Sequence, residues 1–167
     1  MNTNKTKIKK YIKYEIENIE SNKIKIANND KDIMNFVEES INQKSSNKTI
    51  YFGKITDNLA NQIYKKTNIY VKNYNLSLKA SNIKKILKDH GNDKIESLRG
   101  QIAVKKSDFK YIDDIILNND NFFCSGTTKQ GKPSITFEKR IGNKYIIVEY
   151  ISDKHHNLEV QSMYKKK

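Results

Sequence analysis

The N-terminal part of the chain carries two helical patterns of apolar residues. Four isoleucines recur every three or four positions and predict an amphipathic helix over residues 5–20: Ile8, Ile12, Ile16 and Ile19. A second helical pattern covers residues 31–43, after Asn29 or Asp30 as the capping residue. The polar run at residues 43–48 is typical of a linker. We therefore predict a helical N-terminal extension over residues 1–48 and a second unit over residues 49–167.

The middle of the chain alternates between extended and helical patterns. The predicted elements are a strand over residues 49–55 and helices that begin after Thr56, Ser81 and Ser107 as caps. The second of these helices ends at His90, and Gly91 follows at a position that favours a residue free to take a positive φ.

From Phe122 onwards the apolar period changes from helical to alternating. A short strand is predicted over residues 122–125, and three longer ones over residues 134–141, 144–151 and 158–164. Gly142-Asn143 between two alternating runs is a hairpin signal. Helices followed by a strand meander predict an α+β fold, with N-terminal helices packed on a C-terminal antiparallel sheet of about four strands.

Strict alternation along the last strand divides its residues between two faces. One face would carry Leu158, Val160, Ser162 and Tyr164. The other would carry Glu159, Gln161, Met163 and Lys165. A hydroxyl and a phenol on the apolar face indicate that this end of the strand borders a cleft. The alternative for Tyr164 is an ordinary aromatic residue that closes the edge of the core.

The composition is strongly basic. The 167 residues include 32 Lys and Arg against 19 Asp and Glu, which gives a net charge of +13. Such a balance favours a polyanionic partner, because Lys and Arg neutralise phosphates and release counterions. AT-rich coding would also enrich Lys, Asn and Ile and would raise the charge without any partner.

Several classes of protein are excluded or disfavoured. Cys124 is the only cysteine, so an intramolecular disulfide and a cysteine-based zinc site are excluded. No secretory signal and no membrane-spanning run is visible, and we expect a soluble cytoplasmic protein. The segment from Gly126 to Lys132 has the spacing of a phosphate-binding P-loop, but Pro133 stands where that loop needs Ser or Thr, and a strand pattern follows. We expect a hairpin loop there.

The three histidines differ in their settings. His155 and His156 lie on a predicted turn, where we expect them to face solvent rather than to bind a metal. His90 lies at the end of an amphipathic helix, on the side that faces the domain. It is either a histidine stabilised by the helix C-terminus or a group for proton transfer, which would need partners nearby.

The chain from about residue 49 to residue 165 resembles the phage and mobile-element branch of the barnase–EndoU–colicin–RelE-like nucleases. The resemblance rests on the order and spacing of six segments: Ile83–Gly91, Arg99–Gln101, the Asp108 helix, Ile115–Asp120, Tyr145–Tyr150 and Leu158–Lys165. It implies a small α+β domain with helices on a four-stranded antiparallel sheet. Related members are metal-independent ribonucleases, often toxins or phage effectors.

The resemblance also implies roles for individual residues. His90 would act as acid or base and Arg99 would face the phosphate, with Ser162 and Tyr164 as further catalytic groups of the cleft. The implied substrate-binding residues are Lys85, Gln101 and Lys165. In this branch a second histidine often lies five residues before the His-Gly pair, and the present chain has Lys85 there.

The sequence therefore predicts a metal-independent ribonuclease that needs no cofactor and cleaves RNA to a 2′,3′-cyclic phosphate, with tRNA among the candidate substrates. Residues 1–48 would contact an immunity protein, a larger phage protein or a second copy of the chain, because their isoleucine stripe suits a protein contact better than an RNA contact. The alternative is a catalytically inactive module on the same scaffold that binds nucleic acid or protein. Lys85 in the place of a histidine motivates that alternative.

Overall fold

The computed structural model describes residues 2–20, 23–43, 47–129 and 131–167. Residues 44–46 of the predicted linker and residue 130 of the predicted hairpin loop lie outside these ranges. The helices are α1 (Asn2–Glu20), α2 (Asp30–Asn42), α3 (Asp57–Thr67), α4 (Ala80–His90), α5 (Asp93–Leu98) and α6 (Ile112–Leu117), with a 3-10 helix at Lys106–Tyr111. The strands are β1 (Ile24–Ile26), β2 (Thr49–Lys54), β3 (Asn75–Lys79), β4 (Asn121–Thr127), β5 (Pro133–Ile141), β6 (Asn143–Ser152) and β7 (Asn157–Lys166).

All seven strands described belong to one mixed sheet with the order β1-β2-β3-β7-β6-β5-β4. The α+β class is confirmed, and strands β4 to β7 form the predicted antiparallel meander. The predicted sheet of about four strands is too small, and the helices are not all N-terminal, because α3 to α6 lie between strands. β1 pairs in parallel with β2, and β3 pairs in parallel with β7, so the first three strands extend the meander.

The helices that carry the core lie on one face of this sheet. α2 contributes Ile33, Phe36 and Val37, and α4 contributes Ile83 and Ile86, to a single buried cluster. This cluster also contains apolar side chains from every strand from β2 to β7. α2 therefore shares one hydrophobic core with the elements that follow residue 48, and β1 shares their sheet.

α1 lies outside that core. Its isoleucine stripe is 40–50% exposed, so the predicted apolar face is not the face that contacts the domain. The helix instead presents Tyr11 to the sheet, where the Tyr11 hydroxyl accepts a hydrogen bond of 2.8 Å from the side-chain amide of Asn75 on β3. Asn75 precedes Leu76, which points into the core, so α1 covers the opposite face of the sheet.

A β-bulge in β7 changes which residues share a face. Val160 pairs with Glu149 and Ser162 pairs with Val148, so Gln161 is an additional residue between two pairs of the ladder. Val160 and Met163 consequently both point into the core, although strict alternation would place them on opposite faces. The predicted grouping of Ser162 and Tyr164 with Val160 is therefore wrong, because an unpaired residue reverses the alternation.

Two predicted helix starts are confirmed and two are wrong. Asn29 accepts a hydrogen bond from the Asp32 amide at 3.0 Å, and Thr56 accepts one from the Leu59 amide at 3.2 Å, so both cap their helices. Ser81 and Ser107 are not caps, because the helices in question begin at Ala80 and Lys106.

Gly91 closes α4 with a φ of −94°, so the predicted positive φ is wrong. The absence of a side chain matters here for a steric reason, because a Cβ atom at this position would collide with the carbonyl oxygen of Leu87. Glycine is thus required here for the close approach of two backbone segments. The tight end of α4 brings the chain directly into α5.

Candidate active site

A buried carboxylate joins a histidine and an arginine side chain at the C-terminal end of α4. Glu96 Oε2 lies 3.0 Å from Nδ1 of His90, and Glu96 Oε1 accepts a hydrogen bond of 2.7 Å from Nη1 of Arg99. The Glu96 side chain is 0% exposed, His90 is 19% exposed and Arg99 is 50% exposed. The cluster therefore consists of a buried carboxyl group and two side chains that reach the surface.

The short helix α5 is what places Glu96 inside. Asn92 caps this helix by accepting hydrogen bonds from the amides of Lys94 and Ile95, at 3.0 and 3.2 Å. Glu96 then points towards α4, and its own carbonyl oxygen accepts the amides of Arg99 and Gln101 at 3.0 and 2.8 Å. The turn from α5 into the following loop is thereby fixed around the carboxylate.

Glu96 also determines which atom of His90 is free. Nδ1 is occupied by the carboxylate, so Nε2 is the ring nitrogen that can exchange a proton with a ligand. Within the described ranges, Nε2 has no hydrogen-bond partner. The carbonyl oxygen of His90 accepts the Val104 amide at 2.7 Å, which fastens the backbone of the helix end.

Arg99 is held in one place without using all its donors. Its Nη1 donates to Glu96 and also to the carbonyl oxygen of Asp89 at 3.0 Å. A guanidinium group has five N–H donors, so the remaining ones face solvent at the half-exposed end of the side chain. This arrangement suits a phosphate, which accepts several hydrogen bonds from a single guanidinium group.

Tyr164 of β7 lies against His90. Their ring centroids are 5.7 Å apart and the ring planes are inclined by 29°. Burial, and secondly the charge of Glu138, raises the pKa of the Tyr164 phenol above its ordinary value of 10.0. The phenol therefore stays protonated at neutral pH, where it can donate a hydrogen bond.

Ser162 and Gln101 border this arrangement. Ser162 lies two residues before Tyr164 and, beyond the bulge, on the same face of β7. Gln101 follows Arg99 by two residues, next to Ile102, whose amide donates to the carbonyl oxygen of Lys165 at 3.0 Å. The Gln101 side-chain oxygen is buried and has no hydrogen-bond partner within the described residues.

Lys165 lies on the other face of β7, and its ammonium group forms an ion pair within the protein. Its Nζ is 2.8 Å from Oδ2 of Asp108, and both side chains are 8% exposed. Asp108 also accepts hydrogen bonds of 2.6 Å from the Tyr145 hydroxyl and from the Lys105 amide. The structure thus places Lys165 in a buried ion pair that anchors the 3-10 helix, rather than beside His90.

Lys85 is also separate from the cluster. It is exposed on α4, and five residues of a helix turn its side chain by about 140° from that of His90. Of the seven residues named from the sequence, the structure brings together His90, Arg99 and Tyr164, with Ser162 and Gln101 beside them. Ser162 and Gln101 are placed there by their positions two residues from Tyr164 and from Arg99, and Lys85 and Lys165 lie elsewhere.

Glu96 is the functional candidate that the sequence analysis missed. Glutamate is rarely fully buried, and a helix of six residues is too short for a clear apolar period. The available signal was its position three residues before Arg99, which is the spacing of neighbours on one helical face.

The remaining sequence features have other settings. β5 begins at Pro133, directly after the segment with the P-loop spacing, so the strand expected in place of a P-loop helix is present. His155 and His156 are half-buried against α1, so the prediction that both face solvent is wrong. In the part of the chain that the structure describes, no three His, Cys, Asp or Glu side chains are grouped as metal ligands, and no helix is long and apolar enough to cross a membrane.

The fold and the His–Glu–Arg cluster together define a small α+β protein with a site suited to phosphate chemistry. The family model described as phage-Barnase-EndoU-ColicinE5/D-RelE like nuclease3 matches residues 53–167. Because this match covers more than half of the chain, the protein belongs to that nuclease family, and the resemblance seen in the sequence is confirmed. Searches of the curated proteins and of the solved structures find no match.

Proposed function

We propose that the protein is a metal-independent ribonuclease that uses the ribose 2′-hydroxyl as its nucleophile and leaves a 2′,3′-cyclic phosphate. The observation that carries this proposal is the buried carboxylate of Glu96, which holds His90 and Arg99 at hydrogen-bond distance. A base and a phosphate-binding cation fixed on one anchor are what an internal attack on a phosphodiester needs. The family supports a nucleic acid as substrate, and the choice of RNA follows from the chemistry.

His90 is the group for proton transfer in this proposal. Its Nε2 accepts the proton of the 2′-hydroxyl while the 2′-oxygen forms a bond to phosphorus, and the bond from phosphorus to the 5′-oxygen breaks. The departing 5′-oxygen takes a proton from the Tyr164 phenol, and a water molecule then carries the proton held by His90 back to the phenolate. Glu96 acts as a positioning residue, because it orients the imidazole and stabilises its protonated form.

Arg99 and Gln101 act on the charge and position of the substrate. The phosphorane that forms during attack carries more negative charge on its oxygens than the starting phosphodiester, and the free donors of Arg99 stabilise it. The unpartnered amide of Gln101 can bind a ribose or base polar group at the same end of β7. DNA has no 2′-hydroxyl, so this site should bind it without cleaving it.

One observation favours the second candidate, an inactive module that binds nucleic acid. His155 and His156 lie against α1, so His90 is the one histidine of the chain at this site. The second proton transfer therefore falls to Tyr164, whose raised pKa makes it a weak acid. Binding without cleavage is the outcome that this candidate predicts.

The test is incubation of the purified protein with total RNA and tRNA in EDTA. His90→Ala should lower the cleavage rate by about 10²–10⁴-fold, since that is the usual contribution of a general base. Lys88→Ala, an exposed change two residues away on α4, is the matched control and should cleave like the unchanged protein.

The role of Glu96 has its own readout. Glu96→Gln keeps an oxygen that can accept from Arg99 but removes the charge beside His90, so it should reduce cleavage. The double variant with His90→Ala should be no slower than His90→Ala alone, because the lost charge acts through the imidazole. Additive losses would contradict that role. Intact RNA with salt-dependent binding would select the inactive module.

A further inference from the structure

A cavity of about 390 Å³ lies between α1 and the turn that joins β6 to β7. The walls of this cavity are aromatic. Tyr11 stacks on His156 with ring centroids 4.2 Å apart, and Tyr14 stacks on His155 at 4.1 Å. Tyr74 of the neighbouring loop lies on the other side of His156, with centroids 5.1 Å apart. Both histidines of the turn therefore stack on tyrosine rings.

The charged groups around this wall are mainly cationic. Lys7 and Lys10 of α1 and Lys154 of the turn line the cavity, against the single carboxylate of Asp153. That carboxylate is already engaged, because it accepts a hydrogen bond of 2.7 Å from the Tyr74 hydroxyl. The three exposed ammonium groups therefore dominate the field at the cavity mouth and favour an anionic ligand.

His155 supplies a polar group that is not satisfied within the protein. Its Nδ1 is buried and has no hydrogen-bond partner among the described residues. Burial, and secondly the charges of Lys154 and Lys79, lowers the pKa of the His155 imidazole, so the ring is neutral at neutral pH. A neutral imidazole can donate to, or accept from, the edge of a nucleobase.

We propose that this cavity binds one nucleotide of a single-stranded RNA substrate, with its base against the Tyr14 and His155 rings and its phosphate at Lys7 and Lys10. The proposal rests on the ribonuclease function proposed above and extends it to a subsite far from the scissile bond. Aromatic faces with interleaved lysines are the arrangement that binds single-stranded nucleic acid without strong sequence preference.

The position of the cavity allows one continuous RNA molecule to contact both the cavity and the His90 cluster. The cavity lies at the start of β7, next to Asn157, and the His90 cluster lies at Tyr164. At about 3.3 Å per residue, these two points on the strand are about 23 Å apart. Both α1 and Tyr164 lie on the face of the sheet turned away from the core. Ten nucleotides cover this distance even at the duplex rise of about 3.4 Å per nucleotide, whereas a dinucleotide cannot.

The first experiment measures binding without cleavage. A fluorescent 2′-O-methyl RNA of ten nucleotides resists the proposed reaction, so its anisotropy reports affinity alone. The double variant Lys7→Glu/Lys10→Glu should weaken binding by about 10–100-fold and reduce the slope of log K against log salt by about 0.7, for the loss of the one phosphate that both lysines contact. The matched control is Lys31→Glu/Lys65→Glu, which changes the net charge equally on α2 and α3 and should leave most of the affinity.

The second experiment uses cleavage and keeps the two proposals separate. The Lys7→Glu/Lys10→Glu variant should raise KM for a ten-nucleotide RNA and leave kcat/KM for a dinucleotide unchanged. Lys154→Glu, on the turn, should act in the same direction if α1 does not tolerate its two changes. Absence of all cleavage with a selective loss of oligonucleotide binding would overturn the ribonuclease and leave the subsite.

Two results would overturn the subsite. Equal affinities of the Lys7→Glu/Lys10→Glu variant and its Lys31→Glu/Lys65→Glu control would show that only total charge matters. Uridine monophosphate that binds as tightly as the ten-nucleotide RNA, and that Lys154→Glu weakens equally, would identify a site for a free nucleotide instead.

Discussion

Glu149 is a carboxyl group placed entirely within the hydrophobic core, and it makes the stability of this protein depend on pH. It lies between Ile147 and Ile151 on β6, and its cross-strand neighbours are Ile135 and Val160. The side chain is buried, and neither of its oxygens has a hydrogen-bond partner among the described residues. Burial, and secondly the charge of Glu159, raises the pKa of Glu149 from 4.5 to about 8.

The size of the effect follows from linkage. Between pH 4.5 and 8 the folded protein keeps the Glu149 proton and the unfolded chain loses it, so stability falls as the pH rises. Each pH unit in this window costs about 1.4 kcal/mol, so the folded state loses about 3 kcal/mol between pH 4.5 and pH 7. That is a large share of the 5–15 kcal/mol that usually separates folded from unfolded domains.

Glu149→Gln removes the ionisation and keeps the size of the side chain. We expect the variant to match the unchanged protein near pH 4.5 and to exceed its free energy of unfolding by about 3 kcal/mol at pH 7. Urea denaturation at pH 5, 6, 7 and 8 measures this difference, and other titrating groups cancel in the comparison. Glu138→Gln is the control, since Glu138 is paired with Lys144 at 3.3 Å, does not act on the pKa of Glu149 and should not reproduce the effect. Parallel pH curves for the Glu149→Gln variant and the unchanged protein would refute this reasoning.

Three further predictions concern the site, the buried ion pair and the N-terminal region. Tyr164→Phe should slow RNA cleavage by about 10–100-fold with little change in melting temperature. The unchanged protein should lose no activity through ionisation of Tyr164 up to pH 9, because the pKa of this phenol is raised. Asp108→Asn should cost about 3–5 kcal/mol in urea denaturation, because it leaves the ammonium of Lys165 buried without a counter-charge, and a smaller loss than about 1 kcal/mol would contradict the pairing. Removal of residues 1–20 should leave a folded protein. Removal of residues 1–48 also deletes three core side chains of α2, whose burial contributes about 1.5–3 kcal/mol each. The longer truncation should therefore abolish folding, as measured by circular dichroism.

The local patterns predicted the parts of the fold that depend on neighbouring residues. The meander from β4 to β7 follows from alternation and from Gly142-Asn143, and α2 and α3 follow from their apolar period and their caps. The parallel pairing of β3 with β7 was not predicted, because β7 lies about eighty residues further along the chain. No local pattern encodes which distant strand completes a sheet.

The sequence predicted two residues of the site, His90 and Arg99, but not Glu96, which holds them together. His90 and Arg99 stand out by residue type, and the structure places them together, while their catalytic roles stay predictions. Glu96 was missed because its burial results from the short α5 and the Gly91 turn, which no periodicity indicates. Lys165 was assigned to the substrate because the family resemblance implied it, and no local pattern predicted its ion pair with Asp108.

The bulge at Gln161 is the feature that separates the chemistry of β7 from its structural role. Beyond the bulge, Tyr164 faces His90 while its neighbour Lys165 reaches Asp108 in the core. The backbone of Lys165 also accepts the Ile102 amide, which ties the loop after Arg99 to the same strand. One extra residue thus lets a single strand end present a phenol to the candidate active site and fix the loop that carries its arginine. A straight strand would place Tyr164 in the core and leave His90 without its aromatic neighbour.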